Sequence, residues 1–152
     1  MLFRSTDVRL AVESSHFSFA EVKSGLVPAL ISSFIVPQIS AFTAKELMLT
    51  GRKISAHEAL RLGLITAVAK DENELNKLTD QYIKELLANA SGAMKTVKEL
   101  VQYLNDHNEQ ENEAYVKQVF TKMFNKEALY GISCTATQKK PDWNNFAINS
   151  KL

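Results

Sequence analysis

The stretch LTGRKISAHEALRLGLI, Leu49 to Ile65, sets two helix ends, one helix start and one strand in one short run. Thr50-Gly51 is a helix stop, because glycine takes the left-handed conformation that closes a last turn at no steric cost. Upstream of it, Ala44, Leu47 and Met48 fall at i, i+3 and i+4 and share one helix face. Downstream, Ser55 and Glu58 have the spacing of a capping box, an N-cap serine with a glutamate three residues on. That box opens a short helix that stops at Gly63, and Leu64 to Val68 (LITAV) reads as a strand. The segment predicts helix, turn, helix, strand.

Toward the N-terminus the pattern is β. Val8 to Val12 (VRLAV) is a short apolar strand, Glu13-Ser14-Ser15 a turn, and His16 to Phe19 (HFSF) alternates polar and aromatic residues. Two short strands do not make a stable sheet alone. No other segment stands out as their partner, so the expectation is an incomplete β piece. Val22 to Ile39 is apolar, with Gly25, Pro28 and Pro37 as punctuation and no charge from Ser24 to Ser40. A helix is predicted between the prolines, over Ala29 to Val36.

Toward the C-terminus the pattern is helical. Asp71-Glu72 puts acids in the first turn of a helix, where its dipole favours them. That helix carries Leu75, Leu78, Tyr82, Ile83, Leu86 and Leu87 on one face. Further helices are predicted over Ser91 to Leu104, Asn108 to Phe124 and Lys126 to Ser133, before the basic pair Lys139-Lys140 and Pro141-Asp142-Trp143. The fold class is therefore α/β and mostly helical: 1–39 as a strand-and-loop portion, 40–152 as a helical region with one short strand.

Bulk composition narrows the functional classes. The chain has 152 residues, 45% hydrophobic and 23% charged, with a net charge of +1. That length suits one domain with a real core. The charge balance gives no field for nucleic acid or an anionic membrane. Cys134 is the only cysteine, and His16, His57 and His107 are far apart, so neither a disulfide nor a metal site is expected. No apolar run is long enough to span a bilayer, and MLFRSTDVRL lacks the apolar core of a signal peptide. Ser150-Lys151-Leu152 has the form of a peroxisomal import address. The expected location is therefore peroxisomal, with cytoplasmic as the alternative.

Three segments together resemble a known family. TDVRLAVESSHFSFAEVKSGLVPALISS, then AKELMLTGRKISAHEALRLGLITAVAKDENEL, then GISCTATQKKPDW are similar to the C-terminal part of the enoyl-CoA hydratase/isomerase (crotonase) superfamily. The similarity runs from about Asp7 to Trp143 in one register. The loop GLVPALISSFIVPQI is similar to the branch that includes methylglutaconyl-CoA hydratases. The resemblance implies the end of a ββα spiral followed by a helical trimerisation region. It implies an acyl-CoA thioester as substrate, no separate cofactor, and a partner that is either a second copy (a trimer or a multiple of three) or a full-length relative. It also implies that the oxyanion-hole N–H groups, one of the two catalytic acids and much of the CoA pocket come from residues upstream of the matching part.

Within that register Glu21 falls where the family's second acid sits, just before a Gly-x-x-Pro loop. Hydration of an enoyl thioester needs a base to activate water and an acid to protonate the α-carbon, and carboxylates serve in both roles. Without the register, Glu21 reads as a strand-end glutamate, solvated or paired with Lys23. Gly25, Pro28 and Ala29 are expected to shape the acyl pocket, with Ala29 where many hydratases have a glycine that lets water approach. Lys139 and Lys140 match basic residues that meet CoA phosphates in relatives, and as bare sequence read as a solvated basic end. Thr135 stands where relatives often have an aromatic against the adenine. Cys134 is expected to be a buried small residue and Trp143 to pack a helix end. The alternative function is a non-catalytic family member that oligomerises or docks on a full-length relative.

Overall fold

The computed structural model describes residues 6–149, and the Ser150-Lys151-Leu152 tail lies outside them. Two opening strands, β1 (Leu10–Val12) and β2 (His16–Phe17), are shorter than the pattern suggests. Both have partners within the chain, each in a separate two-stranded sheet. β1 pairs in parallel with β4 (Ala67–Ala69), Leu10 opposite Ala67 and Val12 opposite Ala69. β2 pairs antiparallel with β3 (Ile54–Ser55), Phe17 opposite Ile54. A parallel pair needs a long crossover, and helices α1 (Ala29–Ile35), α2 (Ala41–Thr50) and α3 (Ala56–Arg61) supply it. Backbone bonds extend the first pairing at both ends, from Thr66 N–H to Arg9 O (2.7 Å) and from Glu13 N–H to Ala69 O (2.7 Å).

The strand expected at Leu64 to Val68 lies a few residues later. Leu64 and Ile65 are buried in the turn that precedes it, so their apolar character serves the core rather than the ladder. Ile35, Leu47, Ile54, Leu64 and Ile65 form that core together with Ala11, Ala56 and Ala59. Ala56 and Ala59 are completely buried, and their small side chains let α3 lie close against its neighbours.

The capping chemistry of the deciding stretch is half as expected. Ser40 caps α2 through Thr43 N–H, and Gly51 ends it at φ +56°. Ser55 Oγ accepts from Glu58 N–H at 3.2 Å, but the Glu58 carboxylate goes to Arg52 rather than back to the cap. Arg52 holds Glu58 (2.6 and 3.1 Å) and Glu46 (2.7 and 3.1 Å) in two forked pairs that clip α2 to α3. Hydrogen bonds from Arg52 hold the Glu58 carboxyl below its ordinary value of 4.5, and the two glutamates push the Arg52 guanidinium up. A depressed carboxyl contributes stability that is present above its unfolded value and lost as pH falls through its folded one. The stability difference between the native chain and Arg52→Leu is therefore expected to persist from neutral pH down to about 4.5 and to shrink below it, as read by urea denaturation across that window.

The described residues group into two units, with the boundary inside α4 (Glu72–Leu87), between Gln81 and Tyr82. In the second unit α5 (Ser91–Asp106), α6 (Glu109–Lys122), α7 (Lys126–Ala136) and α8 (Trp143–Asn149) follow with short connections. Asn108 and Glu111 make a complete capping box at the start of α6. Tyr103 stacks on both His107 and Tyr115 across the α5–α6 turn. Glu127, in the first turn of α7, accepts from Gly92 N–H (3.0 Å) and Ala93 N–H (2.8 Å) and so caps α5 from another helix. Glu127→Ala is expected to destabilise the chain by about 1–2 kcal/mol in chemical denaturation, the usual range for losing a helix cap.

Candidate active site

Glu21 opens a single 3-10 turn, Glu21–Ser24, which ends at Gly25 with φ +71°. The turn is tight because Gly25 N–H returns to Val22 O (3.1 Å) and Leu26 N–H to Glu21 O (3.0 Å). A side chain at Gly25 would meet nothing within 4 Å, so only the backbone conformation requires glycine there. Pro28 is buried and stands at the N-cap of α1, where its carbonyl accepts from Ser32 N–H (2.9 Å) and Ser32 Oγ (2.7 Å). Ala29 is exposed as the first residue of α1.

The Glu21 carboxyl group has an unusual setting. Its Oε2 is shut off from solvent and has no hydrogen-bond partner among the described residues. It forms no ion pair with Lys23 among them, so the reading of Glu21 as a surface-paired glutamate does not hold. A buried polar atom left unpaired costs about 1–3 kcal/mol. Groups kept in that condition need a reason, and a proton-transfer role is one. Around it in sequence lie apolar side chains that remain exposed: Leu26 at 63%, Val27 at 79% and Leu30 at 79%.

Glu21, Gly25, Pro28 and Ala29 thus form one continuous segment of the first unit. Lys139 and Lys140 belong to the second, exposed just after α7. Gln138 there takes a positive φ of 54°, and Lys139 N–H bonds to Cys134 O at 2.9 Å, so the backbone turns sharply at the basic pair. Cys134 is buried, as expected of a small apolar residue. Trp143 packs edge-on to Tyr130 and Phe146, and Tyr130 Oη accepts from Asp142 N–H at 3.0 Å, which fixes the start of α8.

The second unit also holds a groove of about 930 Å³, lined by apolar residues of α5, α6 and α7, among them Val97, Leu100, Val119, Met123 and Ile132, together with Trp143. Glu21 is not part of it. Glu99, Lys122 and Glu127 also line it, and Glu127 is already engaged as the cap of α5, so the groove suits packing sooner than catalysis, and the unpartnered carboxyl oxygen is the better marker of chemistry. Sequence reasoning missed one neighbour of Glu21. Gly51, read only as a helix stop, lies against the Phe19–Ala20 backbone that leads into Glu21 and against the Lys23 side chain. Its spacing of thirty positions from Glu21 carries no local signal.

The family model described as enoyl-CoA hydratase/isomerase matches residues 1–146. An enoyl-CoA hydratase of Alternaria alternata is 33% identical over 129 residues, 84% of this chain and 43% of the relative. A carnitinyl-CoA dehydratase of Salmonella typhi is 26% identical over 145 residues, 91% of this chain and 55% of the relative. Among solved structures, an enoyl-CoA hydratase from Shewanella pealeana superposes with a TM-score of 0.84 at 26% identity, covering 93% of this chain and 53% of that one. The chain spans about half the length of these relatives. With the family model matching nearly its whole length and the fold shared with solved hydratases, the chain belongs to the enoyl-CoA hydratase/isomerase family.

Proposed function

We propose that this chain carries the acid/base part of a site acting on 2- or 3-enoyl-CoA thioesters, by hydration or double-bond isomerisation, with Glu21 as the general acid/base. The observation that supports it most is the buried, unpartnered Oε2 of Glu21, in a segment whose following residues Leu26, Val27 and Leu30 are exposed. In hydration, a base takes a proton from water as its oxygen bonds to the β-carbon, and an acid delivers a proton to the α-carbon. The electron pair passes through a thioester enolate, whose oxygen is stabilised by backbone N–H donors in such sites, each worth about 3–4 kcal/mol. Glu21 is assigned one proton transfer. In isomerisation the same carboxylate would carry a proton from one carbon to another. Gly25, Pro28 and Ala29 would shape the acyl wall, and Lys139 and Lys140 would meet the CoA phosphates of a substrate held by another subunit. CoA enters as part of the substrate, and no separate cofactor is assigned.

The test follows the absorbance of a short conjugated 2-enoyl-CoA with the purified protein and with Glu21→Gln in parallel. Loss of absorbance that disappears in the variant supports the reading, and equal turnover in both overturns it.

The same reading includes assembly, as a trimer or with a full-length relative. Val97, Val101, Phe120, Phe124, Leu129 and Ile132 of the helical unit are all more than half exposed, which supports burial against another surface. Delivery to peroxisomes is proposed from Ser150-Lys151-Leu152 on the sequence alone.

A further inference from the structure

We infer that Gly51 is a positioning residue for Glu21. The inference deepens the reading above and takes its catalytic meaning from it. Gly51 is buried at the end of α2, with φ +56° and its N–H bonded to Leu47 O at 3.0 Å. A Cβ built there would stand 3.2 Å from Ala20 Cα, 3.4 Å from Phe19 O and 3.1 Å from Lys23 Cε. Lys23 can swing aside, because the atom is far along a flexible stem. The other two atoms are backbone of the residues that lead directly into Glu21. Ala20 Cα, the one of the two that is closer than ordinary contact, has to give by a few tenths of an ångström, and Glu21 is the next residue along. The absence of a side chain at position 51 therefore sets how closely the acid-bearing turn lies against α2.

Two effects of a substitution have to be separated, backbone strain and contact. Gly63 provides the control. It too has a positive φ, +76°, but a Cβ there would have only Gln38 O within 4 Å, at an ordinary 3.9 Å. Gly63→Ala thus imposes strain without contact, and Gly51→Ala imposes both. Gly51→Asn is the third variant, since asparagine tolerates the left-handed conformation better than alanine yet still brings a Cβ.

The first readout is the backbone amide chemical shifts of Ala20 to Lys23 in the purified protein. They are expected to move in Gly51→Ala and Gly51→Asn and to stay in place in Gly63→Ala. The second is enoyl-CoA turnover, where both Gly51 variants are expected to lose about tenfold to a hundredfold in kcat with little change in KM, the signature of a misplaced reacting group. Gly63→Ala should lose far less. Unchanged shifts at Ala20 to Lys23 in the Gly51 variants, or the same kcat loss in all three, would overturn the inference. If Glu21→Gln retains full turnover, the catalytic reading fails by itself, and the shift comparison still decides whether Gly51 sets the place of Glu21. Should Gly51→Ala not fold, the asparagine variant carries the comparison.

Discussion

Glu21→Gln is expected to lower kcat for a short 2-enoyl-CoA by about 10²–10⁴-fold, the usual contribution of a positioned general acid/base. KM should change far less, because the lost interaction belongs to the transition state rather than to binding. The substitution keeps the size of the side chain and removes its capacity to exchange a proton. Oε2 makes no hydrogen bond among the described residues, so no bond of that oxygen is broken by the change. The backbone bonds that shape the turn, Gly25 N–H to Val22 O and Leu26 N–H to Glu21 O, do not involve the side chain. The unfolding midpoint should therefore stay with that of the native chain while turnover falls. A fall in both would assign Glu21 to structure instead.

Ile54→Ala is expected to have the largest effect on stability. Ile54 is 1% exposed, sits in β3 opposite Phe17 and packs in the core with Leu47 and Leu64. Removing its three outer carbons from such a site costs about 2–5 kcal/mol, through lost burial and the cavity left behind. A domain has only about 5–15 kcal/mol in total, so the variant should sit near the edge of folding. Leu49→Ala provides the contrast in the same stretch of chain. Leu49 is 69% exposed, and its truncation should leave the urea midpoint almost where it was. Equal losses in the two variants would mean that this core does not carry the fold.

Local grammar was legible in the sequence, and partnership was not. Gly51 as a helix stop, Ser55 as an N-cap, the helix between Pro28 and Pro37 and the helices from Glu72 onward all rest on neighbouring residues, and all are present in the structure. The strand partners were not legible, because nothing in VRLAV specifies Ala67–Ala69 over another short apolar run. LITAV reads as ladder where Leu64 and Ile65 are core, since an apolar run suits either. The spacing predicts that Glu58 returns to its own cap, and a basic residue six positions back captures its carboxylate instead. The position of Glu21 was legible only through the resemblance. Its buried oxygen and the nearness of Gly51 depend on how distant segments meet, which no local spacing encodes.

The parallel pairing of β1 with β4 has a kinetic consequence. Arg9 and Thr66, which bond at the entrance to that pair, are 57 positions apart, whereas the Asn112 side chain reaches Leu104 across 8. The entropy of closing a loop grows with the logarithm of its length, so the longer closure costs roughly 2 kcal/mol more before any contact offsets it. Helical turns near Asn112 can therefore form early, while the strand framework consolidates late. Glu21 and its apolar loop lie within the span that this closure encloses. The segment proposed to do chemistry is thus among the last to gain its place as the chain folds, and its uncovered Leu26, Val27 and Leu30 are where an unfinished molecule would be most prone to aggregate.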